Sequence, residues 1–199
     1  MKKINKLLLF SSILMIIFSL IIHKKNYGYA QEKKAGQNIN NDEKNRHMVI
    51  AIGGGIFNPF DRIGDVLGMG GNAKIFFQYN KIAKGFGMEA ETGYNYIADK
   101  ELENSFVGIL PVIVSPLYMF ETKYMDFQLK AGIGFAYVSG FIDGNSTGSS
   151  VDLTISTGFS LSHTFNNGFY LGFDTKYYYI FETKGANCIS ASVMLGYSF

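Results

Sequence analysis

The sequence predicts an all-β chain, an eight-stranded antiparallel up-and-down transmembrane β-barrel over residues 48–199. Three observations predict it. Eight segments alternate in side-chain character with a period of two, and none of them shows a helical period. Their polar faces carry few charges for a surface that would meet water, and their apolar faces gather aromatics toward both ends.

The chain opens with Lys2, Lys3 and Lys6 ahead of an uncharged apolar run from Leu7 to Ile22, and Gly28 and Ala30 supply small residues at positions −3 and −1 of a cut. Residues 1–30 therefore read as a secretory signal removed after Ala30. Sixteen helical residues span roughly 24 Å, short of the ~30 Å hydrocarbon core. His23, Lys24 and Lys25 behind the run leave a retained inner-membrane anchor as the alternative. Residues 31–47 are polar, mixed in charge and without apolar period, which describes a flexible lead-in.

The strands fall near 48–57, 71–80, 85–97, 105–120, 124–139, 150–165, 168–181 and 187–199. In the third, Phe86, Met88, Ala90, Thr92, Tyr94 and Tyr96 alternate with Gly87, Glu89, Glu91, Gly93 and Asn95. In the last, Ile189, Ala191, Val193, Leu195, Tyr197 and Phe199 oppose Cys188, Ser190, Ser192, Met194, Gly196 and Ser198. The fourth is apolar on both faces, Val107, Ile109 and Ile113 beside Leu110, Val112 and Val114, so its facing stays open, and Pro111 and Pro116 weaken its ladder. Connections alternate between longer (58–70, 98–104, 140–149, 182–186) and tight (81–84, 121–123, 166–167), which puts long loops at one end and short turns with both termini at the other.

Eight such strands must close, because an open sheet leaves two bare edges and eight strands make a barrel whose inside side chains just fill. The polar face decides which face is inside. A face toward water would be dense in Lys and Glu; this one is mostly Gly, Ser, Thr and Ala with isolated charges, as a narrow interior requires. Threaded this way, Phe86, Tyr118, Phe120, Phe127, Phe165, Phe169, Tyr197 and Phe199 gather at the short-turn end. Tyr94, Tyr96, Phe135, Tyr137, Tyr177, Tyr179 and Phe181 gather at the other, giving two aromatic girdles at the two bilayer interfaces.

Three stretches then carry a resemblance. Leu110-Pro111-Val112 with Tyr118-Met119-Phe120, the glycine-alternating run Ala131-Gly132-Ile133-Gly134-Phe135-Ala136-Tyr137, and the terminal Leu195-Gly196-Tyr197-Ser198-Phe199 resemble the small eight-stranded bacterial outer-membrane β-barrel proteins of the OmpX/Ail and OmpA transmembrane-domain type, the porin-family β-barrel domain. The resemblance covers residues 48–199 and implies the lipid bilayer of a diderm's outer membrane as surroundings. It also implies recognition of Leu195, Tyr197 and Phe199 by the barrel-assembly machinery, although Met194 stands where that terminal signal usually has glycine. No peptidoglycan-binding domain follows the barrel, so that anchoring is not implied.

Charge and cysteine content exclude other classes. Residues 1–47 hold 9 Lys/Arg and 3 Asp/Glu, residues 48–199 hold 9 and 13, so the barrel is net acidic and offers no basic face to nucleic acid. Cys188 is the only cysteine and no Cys/His grouping has zinc-ligand spacing, so no disulfide, metal or cofactor is expected. Gly68-Met69-Gly70-Gly71-Asn72-Ala73 and Gly85-Phe86-Gly87-Met88-Glu89-Ala90 match a dinucleotide fingerprint only in letters, since strands and not helices follow them. His163 falls on the lipid-side register near the short turns, far from where a lipid-modifying Ser/His/acid site would act. The remaining constellation is six inward charges near mid-height, Lys74, Glu89, Glu91, Lys130, Asp174 and Lys176. Three cations balance three anions, which describes a plug of salt bridges rather than a one-sign selective ring. If the second hairpin pairs Phe76 with Glu89, Lys74 lies opposite Glu91.

These readings point to a non-enzymatic barrel with a structural or surface-interaction role, its loops meeting host or matrix molecules. A small channel for small or apolar solutes is the runner-up, and a lipid-modifying enzyme the third reading.

Overall fold

The computed structural model describes residues 47–60, 62–100, 102, 104–122, 125–143, 145–182 and 185–199. The expected signal and the expected lead-in as far as Arg46 lie outside the described residues. Eight strands follow in order: β1 (Met48–Phe60), β2 (Gly70–Ala83), β3 (Phe86–Ala98), β4 (Phe106–Glu121), β5 (Asp126–Ile142), β6 (Asn145–Thr164), β7 (Phe169–Ile180) and β8 (Ala186–Ser198). One short helix, α1 (Arg62–Val66), lies between β1 and β2. Each strand pairs antiparallel with the next, and β8 pairs with β1 from Val49↔Ser198 to Phe60↔Asn187, which closes the barrel. The chain is thus an eight-stranded up-and-down transmembrane β-barrel, the fold class its period-two pattern predicts.

The inside–outside split follows the alternation strand by strand. Ile50, Ile52, Ile75, Val112, Ile133 and Val193 are exposed on the outer surface, while Ala51, Lys74, Ile113 and Met194 on the same strands are buried. Exposing that many branched aliphatics to water would forfeit most of the hydrophobic gain of folding; against lipid tails the same surface costs nothing. The structure also resolves the facing of β4: Ile109, Ile113 and Leu117 point into the lumen and Leu110, Val112, Val114 and Tyr118 point out. Its two prolines sit where one neighbour each can spare a hydrogen bond. Pro111 pairs with Ala136 on β5 while the β3 register skips from Thr92 to Asn95 beside it, and Pro116 pairs with Met88 on β3 while the β5 register skips there.

Two connections differ from the sequence expectation. The long loop expected at 140–149 is mostly strand: β5 and β6 run on until Ile142 pairs with Asn145, leaving a two-residue turn. Its Asp143-Gly144 sequence is the hairpin signal, Asp143 taking a φ of 50°. The tight connection expected at 81–84 moves outward, because β2 continues to Ala83, which pairs with Phe86 around Lys84-Gly85. Two extra residues are absorbed on β2 between Tyr79 and Ala83, which shifts the whole hairpin register. Phe76 therefore pairs with Glu91, Gln78 with Glu89 and Lys74 with Gly93, correcting the expected Phe76–Glu89 pairing and the cross-strand placement of Lys74 against Glu91.

Candidate functional site: the barrel lumen

The lumen is built from the inward positions of all eight strands, and its middle is a closed ring of charge. Lys176 Nζ donates to Glu89 Oε1 and Glu91 Oε2, both at 2.6 Å. Lys130 Nζ donates to Glu89 Oε2 at 2.5 Å and to Asp174 Oδ1 at 3.1 Å. Lys74 Nζ donates to Asp174 Oδ2 at 2.6 Å and completes the circle 3.9 Å from Glu91 Oε2. Cations and anions alternate around the six positions, so each charge has two opposite neighbours. All six side chains are at most 6% exposed. Burying them unpaired would cost several kcal/mol each; the alternation and the extra donors offset that. The extra donors are Tyr178, whose hydroxyl donates to Glu91 Oε1 at 2.8 Å, and Gln78, whose Nε2 donates to Glu89 Oε2 at 2.6 Å and to Gln128 Oε1 at 2.9 Å.

The sheet makes room for the lysines with glycine. Gly158 stands between Lys130 and Lys176 as their neighbour on β6, and a Cβ there would lie 2.7 Å from Lys176 Cγ. Gly93 beside Lys74 is in the same position, with a Cβ 2.8 Å from that of Lys74. Gln78, Gln128 and Tyr178 are members the sequence reading missed. Their signal was parity: Gln78 is four residues from Lys74, Gln128 two from Lys130 and Tyr178 two from Lys176, all on the lumen register.

Toward the loop end the lumen changes character. Phe57, Ile97, Ile109, Ile113, Tyr178, Ile180 and Cys188 form a buried apolar cluster, with Leu67, Val107 and Val138 against it. The inner face, small and polar over most of its length, turns apolar here, where Ile97, Ile109, Ile180 and Cys188 sit near the loop-end limits of their strands. Above the cluster, α1 and Leu67 fold across the mouth. Leu67 bridges Asp99, the Gly68 N–H donates to Ala98 O at 2.8 Å, and Lys100 Nζ donates to Gly64 O at 2.5 Å.

On the outside, the aromatics form contiguous chains near the two ends. At the short-turn end, Phe86 packs edge-on against Tyr118 at 4.7 Å, Tyr118 against Phe120 at 4.6 Å, Phe120 reaches Phe127 at 6.0 Å, and Phe165 meets Phe169 at 5.6 Å. His163 packs edge-on against Phe165 there. Toward the loop end, Tyr96 lies 5.0 Å from Phe106, which stacks on Phe141 at 4.6 Å, and Tyr179 meets Phe181 at 4.7 Å. Tyr177 lies 5.8 Å from Phe60. Tyr94 and Phe135 with Tyr137 are exposed on the same surface; Phe60, Phe106 and Phe141 are additions to the sequence-derived set. In β8, Leu195 and Tyr197 face outward, and Phe199 exchanges backbone hydrogen bonds with Met48 at 2.9 and 3.0 Å, so the last residue seals the β8–β1 seam. Among the described residues no group of three or more His, Cys, Asp or Glu side chains could hold a metal ion.

A closed eight-stranded barrel with a lipid-compatible exterior and a lumen crossed by side chains at mid-height is the fold of the small outer-membrane β-barrels. No protein-family model matches the chain, and no curated protein matches it by sequence. Solved structures do match. Neisserial surface protein A superposes with a TM-score of 0.60 at 14% identity, over 76% of this chain and 97% of that one. A major outer membrane protein of Thermus thermophilus gives 0.57 at 12%, over 78% and 100%. Ail, the attachment invasion locus protein of Yersinia pestis, gives 0.54 at 15%, over 77% and 99%.

Proposed function

We propose that the chain is a non-enzymatic outer-membrane protein whose barrel is closed to solutes and whose role is structural or surface-interacting, exercised by the segments at its loop end. The single observation that carries this reading is the charge ring. Its members come from β2, β3, β5 and β7, and ion contacts of 2.5–3.1 Å cross the lumen between strands that are not neighbours. A water-filled path needs those contacts broken, and a selective path needs an excess of one sign, whereas the ring is balanced. Export through a signal cleaved after Ala30, residence in the outer membrane of a diderm and delivery by the barrel-assembly machinery through Leu195, Tyr197 and Phe199 belong to the same reading.

Two features of the loop end favour interaction. Residues 145–152 of β6 pair only with β5, because pairing to β7 begins at Thr154↔Ile180, so an exposed strand edge projects there. The four connections at this end hold seven acidic and three basic residues, so the partner they fit is cationic or neutral. Ail has been solved in complex with the heparin analogue sucrose octasulfate; an acidic mouth is a poor match to such a polyanion. Planar-bilayer recording on purified barrel tests the closed lumen: the expected trace stays at background conductance, and reproducible unitary steps would move the assignment to a channel.

A further inference from the structure

The apolar end of the lumen holds a cavity of about 410 Å³. Its walls are Ile97, Ile109, Val138, Ile180 and Cys188, with Leu67 from the segment after α1 above them. The only charged side chain among its described lining residues is that of Glu182, in the β7–β8 connection. Tyr178 and Phe57 belong to the same buried cluster as Ile97, Ile109, Ile180 and Cys188, their rings 5.9 Å apart, and the Tyr178 hydroxyl donates to Glu91, which ties that cluster to the charge ring. We propose that this cavity is a binding site for a compact apolar molecule carrying one protonated amine, its body among the isoleucines and its nitrogen at Glu182.

Four observations meet in this assignment. The volume lies within the roughly 300–1,000 Å³ of small-molecule sites. Water in an apolar-walled space finds too few of the two to four partners it needs, so an apolar body gains by displacing it. A carboxylate at the edge of an apolar cup is placed to pair with a cation whose hydrophobic part has already entered. The surrounding field has the same sign: residues 61–69, 99–105, 143–144 and 181–185 carry seven acids and three bases, while the opposite turns at 84–85, 122–125 and 165–168 carry Lys84 and Lys123 and no acid. Because the ring closes the floor, the site is a blind cup, and ligand enters and leaves by the mouth. The single entrance rests on the closed-barrel reading, whereas the binding itself goes beyond it and does not need it, since a conducting barrel could still hold ligand among the same residues.

The test uses the mature barrel in phospholipid nanodiscs with carbon-13-labelled isoleucine methyl groups, titrated with adamantylamine, adamantanol and adamantanecarboxylate, which share one body and differ in the head group. The amine is expected to shift the Ile97, Ile109 and Ile180 methyls saturably, with the lipid-facing Ile133 and Ile155 not following the same curve. It should bind about fivefold more tightly than the alcohol, as for a partly exposed ion pair, and the carboxylate should bind weakest. Glu182→Gln should lower the amine to the affinity of the alcohol. Ile109→Trp, which fills the cup, should abolish binding while the barrel keeps its folded gel mobility, and Ala186→Leu serves if that variant does not fold. The proposal is overturned if the lumen methyls do not saturate, or if lumen and lipid-facing methyls shift in parallel, which is partition into the bilayer. It is equally overturned if the amine binds no tighter than the alcohol or the carboxylate, or if binding survives the filled variants.

Discussion

Lys176→Met puts the charge ring to its most direct trial. The ammonium is fully buried and holds two carboxylates at 2.6 Å each, so its removal leaves two cations facing three anions. Removing one partner of a buried ion pair costs about 3–5 kcal/mol. The lower end applies here, because Glu89 keeps Lys130 at 2.5 Å and Glu91 keeps the Tyr178 hydroxyl at 2.8 Å. We therefore expect a loss of about 3 kcal/mol, measured by urea titration of reversible folding into phospholipid vesicles. Adding Glu91→Gln restores two cations to two anions and leaves Tyr178 an acceptor, so the double variant should return to within about 1 kcal/mol of the parent. Lys74 supplies the internal comparison. Its contacts of 2.6 Å to Asp174 and 3.9 Å to Glu91 predict a larger coupling energy with Asp174→Asn than with Glu91→Gln. A Lys176→Met loss below about 1 kcal/mol, or strictly additive losses in the double variant, would refute the ring as a coupled unit.

Gly158→Val pushes a side chain into the space held by Lys176 and the Thr175 carbonyl; it should destabilise the barrel by about 1–3 kcal/mol in the same titration. Phe199→Ala and Phe181→Ala remove the same ring from opposite ends of the outer surface. They should cost similar thermal stability in detergent, whereas in cells only Phe199→Ala should sharply lower the assembled fraction; equal assembly of the two would make Phe199 a surface aromatic alone. Epitope tags within 61–67 or 99–103 should be reached by antibody on whole cells, and tags at 84–85 or 166–167 should be hidden until the outer membrane is breached. The reverse pattern would invert the barrel.

The fold was legible because lipid on one side and a narrow lumen on the other impose a period of two on every strand, and Phe86 to Ala98 or Ile189 to Phe199 can be read only one way. Strand β4 could not be read, since Ile113 and Val112 are both apolar and apolarity alone does not say which meets lipid. Hairpin register was lost at β2–β3 because the two residues absorbed after Tyr79 leave no trace in an alternation count. The six charges were visible as charges on the lumen parity, but their partners were not. Lys74 meets Asp174 from β7, one hundred residues away, and only the curvature of the closed sheet brings those strands face to face. The apolar cup escaped notice for a related reason: Ile97, Ile109, Ile180 and Cys188 come from four strands, and each alone looks like a strand end running toward its connection.

The way the ring is distributed bears on how the barrel reaches its final register. No hairpin contains a complete share of it: β2 and β3 together bring a lysine no nearer than 3.9 Å to a carboxylate and leave Glu89 facing Gln78. A half-formed sheet thus carries unbalanced charge that disfavours entry into hydrocarbon, and the balancing contacts arrive when β5 and β7 swing opposite β2 and β3. A slip of one residue along any of these strands would turn its charges out into lipid. A slip of two keeps the face but displaces them by about 7 Å at ~3.4 Å per residue, beyond contact. The ring's contacts are therefore complete only in the one alignment that closes the cylinder, and near-misses that an all-apolar lumen would accept break them.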